Sequence, residues 1–258
     1  MSAGTFAPAP GAAPLARQVR AQALMETRLM LRNGEQLLVA LVIPVMALVG
    51  GVVAGRRGGI ELDGRAVDVL TPGVLALAVM STAFTSLAIA TGFERRYGLI
   101  KRLGASPLPR YGLLLGKLGA ILVVHVVQGV VLVPVALALG WRPGGGVVGV
   151  LAAVLAVLVG AAAFASLGLL MAGTLRAEAT LAAANLVYLL LLVGGAVVLP
   201  RASYGAAGDL LAVLPSAALG DAMRAALIDG RVAVVPLLIL VAWAVAGAAA
   251  VSRFFRWE

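Results

Sequence analysis

Between two long apolar runs the chain reads Glu94-Arg95-Arg96-Tyr97-Gly98-Leu99-Ile100-Lys101-Arg102-Leu103-Gly104-Ala105-Ser106-Pro107, then continues through Arg110 to Gly116-Lys117. Arg95, Arg96, Lys101, Arg102, Arg110 and Lys117 make this stretch the home of six of the chain's 20 lysines and arginines. The runs on either side are built for lipid. A chain this oily that concentrates charge in one short loop exposes that loop to water, and the loop separates two segments that cross a membrane.

The composition agrees. The chain is 62% hydrophobic and 12% charged, with a mean hydropathy of +1.07, whereas soluble domains carry about 25% charge. An integral, all-α membrane protein is expected. Cysteine is absent, which excludes disulfides and thiolate chemistry, and the single histidine, His125, excludes a histidine metal cluster. The net charge of +9 sits on membrane-flanking segments, the pattern of a cytoplasmic face rather than of a nucleic-acid partner. The Arg, Ala, Gly and Val bias fits a GC-rich bacterial genome, and so a bacterial plasma (inner) membrane.

A helix needs about 20 apolar residues to cross the hydrocarbon core. Six segments qualify: 37–54, 72–93, 118–139, 147–173, 180–199 and 232–251. Together they form one six-span domain over 37–251, and an even count puts both termini on one side. Thirteen basic residues lie on the face that carries the termini and the 94–117 loop, against seven on the other. That asymmetry places both termini and the loop in the cytoplasm. Residues 1–14 are rich in Ala, Pro and Gly and read as a disordered tail. They lack the order of a signal peptide, so the first span is expected to stay uncleaved. Residues 252–258 form a cytoplasmic tail.

Segment 15–36 has a helical pattern. At 100° per residue Arg17, Arg20, Arg28 and Arg32 fall in one arc of about 120°, and Leu15, Val19, Leu29 and Met30 lie opposite. It reads as an interfacial helix on the inner leaflet or as an ordinary basic flank of the first span. Between the fifth and sixth spans, 200–231 contains apolar pieces too short to cross. They read as half-helices at the outer face, one of them starting at a Ser216 cap and ending near Gly230. Gly160, Ser166, Gly168 and Ala172 in the fourth span would let helices approach closely.

Chemistry is absent. Glu94 and Glu178 sit at span ends, not paired within the membrane, and no catalytic constellation recurs at a recognisable spacing. A phosphate-cradling loop requires Gly-x-x-x-x-Gly-Lys-[Ser/Thr]. Around Gly116-Lys117 the first glycine position is Tyr111 and the lysine is followed by Leu118, so no bound ATP, metal or other cofactor is expected on this chain. The spans are nearly free of ionisable groups. His125, with Gln128 one turn on, reads as an interhelical hydrogen bond or as a proton-coupling residue, and Asn185 as an interhelical bond.

In this context the loop resembles the membrane subunits of type-2 ATP-binding cassette (ABC) transporters, the bacterial drug, antibiotic and glycoconjugate export permeases. Pro72-Gly73 matches the family's opening of the second span. Glu94, Gly98, Leu103 and Ser106-Pro107 match its loop in order, and Gly116-Lys117 its next span. Gly194-Gly195, Pro200, Leu214-Pro215 and Arg224 correspond to its outer-face pattern, with Leu214 where the family has Asn and Leu99 where it has Thr. The resemblance covers most of 15–251 and implies a permease without its own ATPase site, working as a homodimer or with a paralogue. Separate ATPase subunits would hold ATP and Mg. It also implies that Glu94, Arg95, Arg96, Tyr97, Gly98, Leu99, Lys101, Arg102, Leu103, Ser106 and Pro107 form a coupling helix that contacts the ATPase, and that Pro200, Pro215, Asp221 and Arg224 belong to the outer-face segment. Leu99, Ile100 and Leu103 would offer the ATPase an apolar edge. The basic residues of the loop would meet acidic groups there, or anionic lipid. The cargo would be amphipathic or lipid-like. The competing readings are an autonomous secondary transporter or channel, and a non-transporting scaffold whose loop recruits a cytosolic partner.

Overall fold

The computed structural model describes residues 11, 13–57, 64–104 and 107–255. Among them there is no strand. The helices are α1 (Leu15–Arg32), α2 (Gly34–Arg56), α3 (Ala66–Met80), α4 (Leu87–Arg96), α5 (Leu99–Gly104), α6 (Arg110–Ala138), α7 (Gly146–Thr174), α8 (Ala177–Gly194), α9 (Gly208–Leu211), α10 (Pro215–Leu227) and α11 (Val234–Phe254). A π-helical turn, Ser81–Ser86, joins α3 to α4 without a break, and a 3-10 turn, Arg201–Ala207, precedes α9.

Among the described residues five helices are long and apolar enough to cross a membrane: Ala66–Arg96, Tyr111–Ala138, Gly146–Thr174, Ala177–Gly194 and Val234–Phe254. A shorter apolar run, Ala40–Arg56, lies in α2. Several helices overrun the expected spans. The helix expected from 72 starts at Ala66, and α6 starts at Arg110 rather than 118. Hydropathy reports where lipid ends, but backbone hydrogen bonding carries a helix onward into the polar layer. The fifth span errs the other way: α8 stops at Gly194, five residues short of 199. The chain then turns through Ala196 at φ +50°.

The core is centred on α7, which packs against α3, α4, α10 and α11. Its small residues allow this. A side chain at Gly160 would strike Leu219 of α10, one at Gly168 the Phe84 carbonyl, and Ser166 lies against Gly247 of α11. Phe164 meets Phe84 edge to face at 6.5 Å. Dense small-residue contact of this kind is how helices associate when lipid removes most of the hydrophobic drive.

Helix α1 packs along α6. The side of α1 opposite the arginines is the packed one, but its most buried residues are Gln22 and Glu26, while Leu15, Leu24, Leu29 and Leu31 are exposed. Helix α10 is wedged between α3 and α7 and is buried along its length. It begins at Pro215, with Leu214 as the residue before the first turn and no side-chain cap. Ser216 is therefore not its cap; the hydroxyl donates to the Gly195 carbonyl at 2.8 Å. Pro at the first helical position needs no donor partner, which frees the serine for that bond. The tail expected at 1–14, the turn at Gly58-Gly59, Ser106 and Arg256 fall largely outside the described residues.

Candidate functional site

The 94–117 loop joins α4 to α6 and contains the short α5. Helix α4 ends at Arg96, and the chain reverses at Gly98, φ +70°, a backbone conformation that a side chain disfavours. Ile100 of α5 is 1% exposed, and Leu99 and Leu103 are half-buried. The apolar edge expected to meet a partner is thus turned largely into the chain's own bundle. It anchors α5, because burying one such side chain is worth about 1.5–3 kcal/mol. What α5 and its approach present outward are Tyr97, 70% exposed, and the exposed Lys101 and Arg102. Pro107 is also exposed.

Arg95 and Arg96 point elsewhere. Arg95 donates to the Leu175 carbonyl. Arg96 pairs with Glu178 at the start of α8 and lies 5.9 Å from the Tyr97 ring, which stacks on Phe93. These two arginines tie the loop to the α7–α8 turn.

Beneath the loop is a buried ion cluster. Lys117 Nζ lies 2.6 Å from Glu94 Oε2 and 2.9 Å from Glu26 Oε1. Gln22 Nε2 donates to Glu26 Oε1 at 2.8 Å. Lys117 is 3% exposed, and Glu26 and Gln22 are each 6% exposed. Three helices meet here: α1 brings Gln22 and Glu26, α4 brings Glu94, α6 brings Lys117. The approach depends on Gly116, where a Cβ would sit 2.5 Å from the Gln22 Cγ. Two carboxylates around one ammonium leave a net negative charge in a dry site, so each carboxylate depends on the lysine.

Glu94, which the sequence sets at the end of a span, thus has its partner on a neighbouring helix. Gln22 and Glu26 escaped sequence reasoning altogether. A signal existed: Glu26 is the one acidic residue before position 34, set within a helix otherwise rich in arginine.

The outer-face residues converge on a second polar site. Arg224 of α10 is 8% exposed. Its guanidinium donates to the carbonyls of Ala196 at 3.1 Å and Val197 at 3.2 Å, and to Asp221 Oδ1 at 3.0 Å. Asp221 also accepts from Arg201 Nε at 2.5 Å. Burial pushes the Arg224 guanidinium below its ordinary pKa, and the Asp221 carboxylate opposes that. The 196–198 segment lies close against Gly73, where any Cβ would collide with the Val198 carbonyl oxygen. Pro200 precedes the 3-10 turn and Pro215 opens α10. Arg224 gathers the carbonyls of the 196–198 segment that follows α8, which is a structural task.

Among the described residues no cluster of His, Cys, Asp or Glu fits a metal ion. A family model described as ABC-2 type transporter matches residues 17–228, most of the chain. Comparison with curated proteins gives no match.

Proposed function

The chain belongs to the ABC-2 type transporter family, and from that premise we propose that it is the permease subunit of an ATP-driven exporter in a bacterial plasma membrane, energised through the 94–117 loop by a separate ABC ATPase. Membership makes it the transmembrane component and implies the ATPase partner. The coupling assignment rests on one observation. Tyr97 at the end of α4 and Lys101 and Arg102 of α5 stand outward, while Ile100 buries the inner side of α5 and the Glu94–Lys117–Glu26 cluster ties α4, which leads into it, to α1 and α6. A contact that transmits force needs an exposed recognition surface on a stiff mount, and this loop has both.

In this reading α2 completes six spans, both termini and the loop are cytoplasmic, and α1 lies at the inner leaflet with Leu24 and Leu29 toward lipid. ATP and Mg are held by the ATPase. The cargo is a drug, antibiotic, glycolipid or similar amphipathic molecule, because the spans offer few polar contacts. Two copies, or this chain and a paralogue, make the transporter. Asn185 supports pairing. It is exposed on α8 instead of bonding within the bundle, and a carboxamide facing lipid gains from a second copy.

The test is co-purification with the ABC ATPase encoded beside this chain, followed by ATPase and transport assays. Lys101→Glu with Arg102→Glu should abolish association while the permease still inserts and folds. Glu94→Ala and Leu103→Asp should lower transport per ATP hydrolysed. Association and transport unchanged in all four substitutions would sink the coupling assignment.

A further inference from the structure

The outer surface of the bundle is not evenly filled. A groove of about 710 Å³ runs over α7 between α6 and α11. Its lining extends from Tyr111 to Leu118 on α6 and from Ala244 to Ser252 on α11, and α7 lays Ala165 and Ser166 along the floor. Leu115 and Val245, 50% and 64% exposed, mark the open side. Ser166 lies against Gly247 and Gly173 against Phe255, so α7 and α11 run the same way. The short 139–145 connection turns α6 against them. Tyr111 and Ser252 therefore share one end of the groove, the end that faces the 94–117 loop. At 1.5 Å per residue the lining covers about 10 Å of α6 and about 12 Å of α11. That is most of one leaflet of a hydrocarbon core about 30 Å thick.

Polarity is graded along this length. Tyr111 is 57% exposed, and its hydroxyl makes no hydrogen bond among the described residues. Ser252 is exposed, and so is Arg253 beside it in the last turn of α11. The Arg253 guanidinium lies 5.8 Å from the Phe254 ring and has no carboxylate partner among the described residues. In the middle, Ser166 satisfies its own hydroxyl on the Ala163 carbonyl at 2.7 Å. The far end offers Leu118 and Ala244. Lys117 belongs to the wall, but its ammonium is held by Glu26 and Glu94. That cluster is net negative and lies about 9 Å along α6 from Tyr111. It repels an anionic head from the middle of the groove and leaves the Tyr111–Arg253 end as the place for one.

We propose that this groove seats one acyl chain of an anionic phospholipid, with the phosphate at the Tyr111–Arg253 end. The lipid belongs to the leaflet on the loop side, the inner one in the orientation above. Tyr111 donates its hydroxyl to a phosphate oxygen, and Arg253 supplies the charge. Shape and charge select this occupant together: an apolar track one leaflet long, with a free hydroxyl and an unpaired cation at one end only. The inference rests on the spanning helices and not on the transport reading. Binding is therefore read on the full chain alone, in nanodiscs without an ATPase.

The probe is phosphatidylglycerol carrying a diazirine on one acyl chain, compared with phosphatidylcholine carrying the same chains, each as a minor component of phosphatidylcholine nanodiscs. Phosphatidylglycerol should label α6 and α11 peptides around Leu115 and Val245 saturably, about fivefold more tightly than phosphatidylcholine, the worth of one basic contact at the membrane surface. Arg253→Gln combined with Tyr111→Phe should remove that preference. Ala248→Trp, at an exposed position of the wall, should abolish labelling of these peptides by both lipids and leave labelling of α8 unchanged. Equal labelling of the wild type by the two lipids, labelling that does not saturate, or labelling elsewhere only overturns the proposal, even if Ala248→Trp fails to fold. So does a folded Ala248→Trp chain that labels like the wild type. Displacement of the probe by neutral dodecyl maltoside as readily as by unlabelled phosphatidylglycerol also overturns it, since the groove would then be a seat for any amphiphile, cargo included.

Discussion

Lys117 is the residue on which the loop's foundation turns. Removing it leaves Glu26 and Glu94 facing one another in a site that water barely reaches. Lys117→Met should destabilise the chain by about 3–5 kcal/mol, the usual cost of orphaning a buried charge, seen as a fall in melting temperature in detergent. Adding Glu26→Gln and Glu94→Gln to that variant should recover most of the loss, because the triad's own net contribution is small. Arg224 makes a parallel prediction. A lysine cannot reproduce its fork across the Ala196 and Val197 carbonyls and Asp221. Arg224→Lys should therefore rescue only part of the stability lost in Arg224→Met, measured the same way. Neither role was legible in the sequence. The motif Gly116-Lys117 marks a position, and only the approach of α1 and α4 makes the lysine a buried hub.

At the scale of elements, α1 is the one whose surroundings the sequence described least well. Its helical pattern and its arginine arc were plain, and the helix is there. What the pattern missed is that its packed side carries Gln22 and Glu26 instead of a run of apolar residues. Hydropathy scores those two as outward-facing; a cation on the neighbouring helix turns them inward. The packing can be tested directly because the chain has no cysteine. A Cβ at Gly119 would lie 3.2 Å from that of Ala23, just under the usual disulfide range of about 3.5–4.5 Å. Ala23→Cys with Gly119→Cys should cross-link within the chain on mild oxidation in membranes, detected by peptide mapping. An α1 that lies free on the leaflet would leave both thiols reactive. Helix α5 shows the converse. Its charges point outward as expected, but Ile100 faces home, since an apolar side chain at a short helix gains more from its own bundle than from water.

For the whole molecule, charge asymmetry makes the orientation testable. A cysteine in place of Ser106 should be shielded from impermeant thiol reagents added to intact cells, and one in place of Leu210 in α9, 77% exposed in the single chain, should react. The reverse pattern would invert the topology. Pairing has its own readout. Asn185→Cys should form an intermolecular disulfide between two copies in membranes, and monomers alone under oxidising conditions would argue for a different partner.

Long apolar runs, the charged loop between two of them and the order Glu94, Gly98, Leu103, Pro107 were sufficient to identify an all-helical membrane protein and to point to its family. These signals are one-dimensional: lipid demands apolar length, water demands charge, and both are written residue by residue. The tertiary structure alone decided where polar groups meet. It joined Glu26, Glu94 and Lys117 from three helices, set Arg224 on the carbonyls of the segment that follows α8, and turned Gln128 of α6 onto α2 and the π turn. In a low-dielectric interior a lone polar group is costly and a paired one is stable, so its meaning lies in its partner, and partners far apart in the chain are brought together only by the fold.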